Sequence, residues 1–202
     1  MGEVEILVEN VTKRFKQETV LDGISLEVEQ GSICGIVGRN GSGKTVLFKC
    51  ICGLMETDEG KIRVDRKKIG AVIEKPGFLK QYSGYKNLQI LSALSGKKID
   101  INEVLKIVGL ENARNKKVGK YSMGMKQRLG IAQALMEDQK ILILDEPMNG
   151  LDNKGVEDMR ELFLQLKNQG KTFLIASHNR EDIDLLCDVV YEMDAGKIRK
   201  VR

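Results

Sequence analysis

Residues 38–45 read Gly38-Arg39-Asn40-Gly41-Ser42-Gly43-Lys44-Thr45 and fit the phosphate-binding P-loop pattern, which is a glycine, four residues and then Gly-Lys-Ser/Thr. The preceding residues 32–37 are mostly apolar and predict a short buried strand. Residues 46–52 contain no helix breaker before Gly53, so they predict a helix directly after the loop. A strand, a phosphate loop and a helix in this order indicate an α/β fold.

The residue types of the loop suit a triphosphate. Glycines at 38, 41 and 43 allow the backbone to wrap an anion, and the helix behind them offers free N-terminal amides. Lys44 can then reach the β- and γ-phosphates, and Thr45 can place its hydroxyl on Mg²⁺. The alternative is a glycine-rich turn with a surface lysine. Because the motif and both flanks agree, we expect the chain to bind a nucleoside triphosphate.

Hydrophobic patterns along the rest of the chain predict further strands and helices. Residues 4–35 alternate like strands, with turns expected at Asp22-Gly23 and Gln30-Gly31. Helical spacing dominates residues 86–135. Two apolar runs, 141–144 and 172–176, flank an amphipathic helix. Since apolar strands that alternate with helices are typical of parallel sheets, we predict an α/β fold with a mostly parallel sheet covered on both faces.

The size and composition favour one intracellular domain. A chain of 202 residues is long enough for one substantial core, and a second full domain would be cramped. No apolar run has the length of a membrane span, and the acidic N-terminus does not resemble a signal peptide, so we expect a cytosolic chain. Four cysteines without metal-ligand spacing predict buried, reduced thiols: Cys34, Cys50, Cys52 and Cys187.

The net charge of +4 is mild and does not predict a nucleic-acid-binding protein. A nucleic-acid surface is usually more basic and interleaved with aromatics, which make up only 4% of this chain. Residues 61–68 alternate basic and other residues as on a solvated hairpin. An anionic membrane surface is the alternative partner for this stretch and for four C-terminal basic residues, Lys197, Arg199, Lys200 and Arg202.

A second nucleotide motif follows the apolar run 141–144. Asp145 and Glu146 come directly after it. In a parallel sheet, a carboxylate at the C-terminal end of a strand lies beside the P-loop, which suits Asp145 to hold Mg²⁺. Glu146, one residue further on, is placed to orient or deprotonate an attacking water.

With these motifs in place, the chain resembles an ABC-transporter ATPase subunit over essentially its whole length. The stretch Tyr121–Leu129 is similar to the family signature, usually written LSGGQ, and it precedes the Asp145-Glu146 strand as in the family. Residues 149–152 resemble the D-loop, and Ser177-His178 resembles the switch-histidine loop. Residues 194–198 resemble the closing strand of the family.

The resemblance implies an architecture and an assembly. The fold expected is an ABC-type P-loop NTPase with an N-terminal antiparallel β subdomain and a helical signature subdomain. In this single domain, residues 1–76 and 136–202 form the nucleotide-binding core and residues 77–135 the helical part. The family pairs two ATPase subunits head to tail on an integral membrane permease, which implies a peripheral location on the cytoplasmic face of the membrane.

The resemblance also implies roles for single residues. Ser122 and Gly124 reach the γ-phosphate held by the partner subunit, and Ser122 can also cap the helix behind it. His178 bonds the γ-phosphate, and Asp152 shapes the loop that faces the partner. Phe15 stands where the family stacks an aromatic on adenine, with packing in the core as the alternative. ATP and Mg²⁺ are the implied ligands.

Two departures narrow the resemblance. Met123 and Met125 replace the second glycine and the glutamine of the signature, and Glu74 stands where most of the family has the Q-loop glutamine, a Mg²⁺ contact. Both features resemble the bacitracin-export and lantibiotic-immunity branch. The implied function is ATP hydrolysis that powers export of a peptide antibiotic or similar amphiphile through a separate permease. The alternatives are a soluble ABC ATPase and an ATP-dependent conformational clamp without a transport role.

Overall fold

The computed structural model describes residues 2–74 and 76–202. The first half of the chain contains β1 (Val4–Phe15), β2 (Glu18–Glu29), β3 (Ile33–Val37), α1 (Lys44–Ile51), β4 (Glu59–Arg63) and β5 (Ile69–Val72). Three helices follow: α2 (Gly84–Ser95), α3 (Ile101–Ile107) and α4 (Met123–Leu135). The last part contains β6 (Ile141–Asp145), α5 (Asn153–Asn168), β7 (Thr172–Ser177), α6 (Arg180–Leu186), β8 (Val189–Asp194) and β9 (Lys197–Lys200).

The strands form two sheets. A three-stranded antiparallel sheet has the order β2-β1-β4, and a six-stranded sheet has the order β5-β6-β7-β3-β8-β9. The first five strands of the larger sheet are parallel, and β9 pairs antiparallel with β8. The predicted α/β class with a mostly parallel sheet is therefore confirmed.

Two hydrophobic clusters cover the two faces of the parallel sheet. One contains the buried side chains of the antiparallel sheet and of α1, including Phe48. The other contains those of α2–α6 together with side chains of the sheet; Phe163 of α5 and Phe173 of β7 belong to it, and their ring centroids are 5.4 Å apart. Strands β3 and β7 are buried at every position, as expected for strands with helices or a second sheet on both sides.

The predicted turn at Asp22-Gly23 is wrong, because both residues lie inside β2. Gly23 has φ 64°, a value that a glycine adopts without steric cost. Its N–H donates to the Thr12 hydroxyl at 3.2 Å, across a part of the ladder where the register shifts. A glycine that signals a turn in sequence can instead form a bulge when a partner strand continues beside it. The predicted turn at Gln30-Gly31 is confirmed.

The predicted hairpin over residues 61–68 is also wrong. β4 and β5 belong to different sheets, and a single 3₁₀ turn, Arg66–Lys68, connects them. The alternating charges reflect solvent exposure on β4, which is an edge strand of the antiparallel sheet. An edge strand and a hairpin arm give the same pattern in sequence, because both expose one face to water.

Helices α2, α3 and α4 form a connected group between β5 and β6. Their first turns are capped by the side chains of Ser83, Asp100 and Ser122. Each cap accepts a hydrogen bond from a backbone N–H of the first turn, which satisfies a donor that the helix itself leaves free. Within the described residues, no helix has the length and apolar character of a membrane span.

Candidate functional site

The candidate site lies where three neighbouring parallel strands end. The strand order β6-β7-β3 brings Asp145, Ser177 and Val37 to one edge of the sheet, which is also where the P-loop begins. The carboxyl ends of parallel strands, together with the helix that follows, are the usual place for a phosphate site in such folds.

The backbone of the P-loop is tightly enclosed. Gly43 has φ 108°, and a Cβ placed on it would lie 2.8 Å from the Met193 Cε atom and 2.9 Å from the Val20 carbonyl oxygen. Glycine is therefore required here by conformation and by space. The buried Ser42 hydroxyl has no hydrogen-bond partner among the described residues. A loop of this form, with an unsatisfied polar atom, fits the phosphate groups of a nucleotide.

Lys44 is buried under the loop. Its ammonium group donates to the carbonyl oxygens of Gly38 and Arg39, at 2.6 and 3.1 Å, and lies 3.9 Å from the Glu146 Oε1 atom. Burial lowers the pKa of Lys44, and the carboxylates of Glu146 and Asp145 act in the opposite direction. The arrangement holds a positive charge at the centre of the site, where phosphate oxygens can replace the loop carbonyls as acceptors.

Thr45 and Asp145 contact one another across the site. The Thr45 hydroxyl donates to the Asp145 Oδ2 atom at 2.6 Å, although the two residues are far apart in sequence. A hydroxyl and a carboxylate are hard oxygen donors of the kind that Mg²⁺ prefers. Among the predicted metal-binding residues, these two are therefore brought together.

The backbone of Glu146 has a positive φ, and its two carboxylate oxygens have different surroundings. Its φ is 51°, and its N–H donates to the Ala176 carbonyl oxygen at 2.9 Å, which fixes the side chain at the end of β6. The Oε2 atom lies 2.8 Å from the His178 Nδ1 atom and 3.4 Å from the Ser177 hydroxyl. The Oε1 atom is buried without a hydrogen-bond partner among the described residues. A carboxylate with a free, enclosed oxygen can accept a proton from a water molecule.

His178 contacts Glu146 from the end of β7 while its side chain remains 46% exposed. If the Nδ1 atom donates to the Glu146 carboxylate, a neutral ring has an acceptor at Nε2, and only the protonated ring can donate from both nitrogens. The half-exposed ring excludes a role limited to core packing.

Glu74 occupies a different environment. Its side chain is 63% exposed, and its Oε1 atom accepts from the Lys49 ammonium group at 2.7 Å. Glu74 lines one cleft together with Asp145 and Glu146, yet its hydrogen-bond partner is Lys49 of α1. The predicted metal contact of Glu74 stays a prediction.

The signature residues and the D-loop lie close together in space within one copy of the chain. Ser122 accepts from the Met125 N–H at 3.2 Å, and Asp152 accepts from the Gly155 N–H at 2.9 Å, so both cap helices. A Cβ placed on Gly124 would lie 3.5 Å from the Leu151 side chain. The beginning of α4 therefore packs beside the loop that precedes α5. The cap expected of Ser122 is confirmed.

The remaining residues that were predicted to bind the nucleotide lie around the edge of the site. Phe15 is at the end of β1 with 42% of its surface exposed, and the Lys13 ammonium group lies 5.6 Å from its ring centroid. The alternative that Phe15 packs in the core is therefore wrong, and stacking on adenine stays a prediction. Arg39 and Asn40 line a cleft of about 660 Å³ with His178. The cysteines are free thiols; Cys52 is only half-buried, whereas the other three are buried.

Two contacts were not predicted from the sequence. Lys49 pairs with Glu74, and the Ser177 hydroxyl accepts from the Asn179 N–H at 3.0 Å, which shapes the turn that carries His178. A lysine on a helix has no distinctive sequence pattern, and the resemblance of Ser177-His178 to the switch-histidine loop does not show which N–H group the serine hydroxyl accepts from. The partner of Lys49 is known only once β5 and α1 are placed in space.

A family model described as ABC transporter matches residues 21–149. This chain belongs to the ABC transporter family. It is 45% identical over 209 residues to an uncharacterized ABC transporter ATP-binding protein, YybJ, from Bacillus subtilis (strain 168), a match that covers 96% of this chain and 94% of the relative. The predicted resemblance to an ATP-binding subunit is confirmed.

Two relatives with assigned names belong to the predicted branch. The bacitracin transport ATP-binding protein BcrA of Enterococcus faecalis is 40% identical, with 97% of this chain and 68% of the relative covered. The lantibiotic transport ATP-binding protein SrtF of Streptococcus pyogenes is 36% identical, with 95% of this chain and 87% of the relative covered. The resemblance to the bacitracin-export and lantibiotic-immunity branch is thereby confirmed.

The fold agrees with solved ATP-binding cassettes. A nucleotide-free cassette from an ABC transporter superposes with a TM-score of 0.89 at 28% identity, covering 98% of this chain and 91% of that one. The ABC-type fold is therefore confirmed. The chain is the ATP-binding subunit of an ABC transporter, and it is an ATPase whose hydrolysis is coupled to transport.

Proposed function

We propose that this subunit hydrolyses ATP between two copies of the chain and thereby powers a separate membrane permease that exports a peptide antibiotic or a similar amphiphile. One observation carries the catalytic part of the proposal. The ends of three parallel strands bring Lys44, Thr45, Asp145, Glu146 and His178 into contact, with distances between partner atoms from 2.6 to 3.9 Å.

The P-loop residues bind the phosphates in this proposal. The loop Gly38–Thr45 surrounds the triphosphate with backbone N–H groups, and the Lys44 ammonium group exchanges its loop carbonyls for the β- and γ-phosphate oxygens. Thr45 and Asp145 would hold Mg²⁺, which when bound neutralises charge on the phosphates. The fit is supported by the contact between their oxygens at 2.6 Å.

Glu146 and His178 act on the water and on the γ-phosphate. The unpartnered Glu146 Oε1 atom takes the proton of the attacking water, while the Oε2 atom holds the His178 ring. A protonated ring can keep its Nδ1 contact with Glu146 and donate from Nε2 to the γ-phosphate. The Lys44 ammonium group lies 3.9 Å from the Oε1 atom, so the lysine and the carboxylate are next to one another in the site.

A second copy completes the site in this proposal. Ser122 and Gly124 lie at the N-terminus of α4, where free backbone amides and the helix dipole favour the partner's γ-phosphate. Asp152 shapes the neighbouring loop that faces the partner. The contact between Gly124 and Leu151 supports a common surface formed by the signature and the D-loop.

Glu74 and Phe15 complete the proposed assignments. Phe15 stacks on adenine, for which its exposed ring at the end of β1 is suited. Glu74 would contact Mg²⁺ once its ion pair with Lys49 is broken. It also connects the nucleotide site with the helical part. We also propose the division of this single domain into a core, residues 1–76 and 136–202, and a helical part, residues 77–135.

The transport role is supported by the named relatives of the branch, one of which is called a bacitracin and one a lantibiotic transport ATP-binding protein. In this role the subunit is peripheral to the cytoplasmic face of the membrane, and the permease supplies the path for the substrate. We expect no role in nucleic-acid binding.

The assembly is tested with Glu146→Gln, which should bind ATP but hydrolyse it slowly, so that the uncleaved triphosphate holds two subunits together. Size-exclusion chromatography with Mg-ATP should show a dimer, and adding Gly124→Asp should return it to the monomer. A monomer with ATP demonstrably bound would contradict pairing between identical copies.

The transport role is tested in cells. The chain is expressed with the permease gene that accompanies it, and susceptibility to bacitracin and to a lantibiotic is measured. Protection should require both proteins and should be lost in Glu146→Gln. Equal protection by wild type and Glu146→Gln would contradict ATP-driven export.

A further inference from the structure

Residues 177–179 carry His178, and they form one hydrogen-bonded unit with the first turn of α6. Asn179 caps α6, because its side-chain oxygen accepts from the Glu181 N–H at 3.1 Å. The Asn179 N–H donates in turn to the Ser177 hydroxyl at 3.0 Å. His178 lies between these two residues, so the position of its ring depends on where the first turn of α6 is held.

An ion pair with α5 contacts this first turn. The Arg160 guanidinium group of α5 donates to the carboxylate of Asp182 in α6, and Asp182 is only 8% exposed. α6 has seven residues, and a helix of this length has little stability of its own, so contacts with the rest of the fold must place it. Its buried Ile183 and Leu186 supply apolar contacts, which are non-directional. The charge-assisted hydrogen bond from Arg160 also fixes direction.

Arg160 is enclosed, and its hydrogen-bonding capacity is not fully used. Its side chain is 23% exposed, and its Nε atom is buried without a hydrogen-bond partner among the described residues. Enclosing a guanidinium group with an unused donor costs free energy, and an apolar pair of similar volume is often equally stable or more stable. Stability alone therefore explains the ion pair poorly. Arg160 and Asp182 line the same cleft of about 520 Å³ as Glu146 and His178, which favours a role in the site.

A second ion pair of α5 lies beyond the other end of α6. The Lys167 ammonium group donates to the Asp188 carboxylate at 2.5 Å. Both pairs join a cation of α5 to residues 180–188, but at opposite ends of this segment. The cleft that contains His178 is lined by the first pair and, among the described residues, not by the second. Both pairs hold the segment on α5, and only the first is placed to move the ring.

We propose that Arg160 and Asp182 form a positioning pair that holds the His178 ring against the Glu146 carboxylate. The pair acts through the first turn of α6 and the residues before it, because its own contact joins the two helices. The inference rests on the proposed function, in which the ring and this carboxylate act on the γ-phosphate and on water. It adds to that function the contact that keeps the two groups 2.8 Å apart.

The position of the ring is tested by NMR spectroscopy, because His178 is the only histidine of the chain. In tag-free protein the ring therefore gives a single set of signals that needs no further assignment. The ring Cε1–H signal should move or broaden in Arg160→Gln and in Asp182→Asn. It should stay in place in the matched control Lys167→Gln, which removes the other ion pair of α5.

The consequence for hydrolysis is tested by phosphate release. Arg160→Gln should lower kcat roughly tenfold or more and leave the KM for ATP nearly unchanged, since a displacement of about 1 Å in a site can cost on the order of 10²-fold in rate. Arg160→Lys, which keeps the charge, should restore part of kcat, and Lys167→Gln should retain it. In the His178→Ala background, Arg160→Gln should cause little further loss, because changes that act through one group are not additive.

A variant that replaces both partners separates positioning from folding. Removal of one partner leaves an enclosed charge unpaired and destabilises the fold, whereas Arg160→Met combined with Asp182→Leu leaves no unpaired charge. This double variant should keep the free energy of unfolding of the wild type or exceed it. It should still show the moved ring signal and the lowered kcat, a combination that a purely structural ion pair would not give.

Three results would overturn the proposal. They are an unmoved ring signal in the folded double variant, an equal change in Lys167→Gln, and a loss from Arg160→Gln that is undiminished in the His178→Ala background. Failure of the proposed function would look different. Full hydrolysis by His178→Ala would contradict the role of the ring in that function, while a moved ring signal would still support its placement by the ion pair.

Discussion

Glu74 and Glu146 occupy equivalent places at the ends of neighbouring strands but differ in almost every contact. In the parallel register of β5 and β6, Val72 pairs with Leu144, so each glutamate follows two residues after a paired position. Both have positive φ, 63° and 51°, and both lie near a lysine of α1. The backbone and the residue type are thus shared, and the surroundings differ.

The surroundings of Glu146 are closed, whereas those of Glu74 are open. The Glu146 side chain is 21% exposed and contacts His178, and it follows β6, which lies between β5 and β7. The Glu74 side chain is 63% exposed and follows β5, the edge strand of the parallel sheet. An enclosed carboxylate interacts strongly with nearby charges and with a substrate, but an exposed one is screened by water. Position within the sheet therefore separates the carboxylate that we propose as the catalytic base from one suited to regulation or coupling.

The largest expected difference is in hydrolysis. Glu146→Gln should lower the rate on the order of 10²–10⁴-fold, because the amide can occupy the same place but cannot accept a proton. Glu74→Gln should leave most of the rate. Phosphate release from both purified proteins measures this, and a similar loss in the two variants would remove the distinction between the glutamates.

The two lysines that lie near these glutamates should also differ in their importance for hydrolysis, with Lys44 the more important. Lys44→Ala should lower hydrolysis on the order of 10²–10³-fold and weaken ATP binding, because a buried charge that meets the phosphates is lost. Lys49→Ala is the matched control and should retain activity. Phosphate release and nucleotide titration measure the effect, and circular dichroism checks folding. Wild-type activity in a folded Lys44→Ala protein would contradict the P-loop assignment.

A smaller effect is expected for coupling to transport. Glu74→Ala should reduce protection of cells that carry the permease by roughly fivefold or more, the usual range of coupling between sites, while basal hydrolysis changes less. Glu74→Gln, which keeps an oxygen of the same reach, should be milder in both measurements. Unchanged transport and unchanged dependence on Mg²⁺ in Glu74→Ala would remove the coupling role.

The smallest effect concerns stability. The Lys49–Glu74 ion pair is 2.7 Å long, but both side chains are accessible to water. Such a pair contributes about 0–1 kcal/mol, so Lys49→Ala should lower the free energy of unfolding by less than about 1 kcal/mol. Urea denaturation measures this change. A loss of several kcal/mol would show that the pair holds the loop in place and that Glu74 is less open than its exposure indicates.

Local signals explain what could be predicted. The P-loop combines glycines, a lysine and a threonine within eight residues, and the runs before Asp145 and Ser177 are apolar throughout, so motif and strand support one another. The cap expected at Ser122 also follows from residues close in sequence. The turn expected at Asp22-Gly23 failed because a glycine does not reveal whether a neighbouring strand continues beside it.

The sequence alone determined the nucleotide loop, the α/β class, the parallel strands and the family, because each depends on residues that are close along the chain or on their periodicity. Only the tertiary structure decided which distant groups meet: Thr45 with Asp145, Glu146 with His178, and Glu74 with Lys49. Strand order and the pairing of loops place these groups, and neither is encoded by the spacing of residues within one segment.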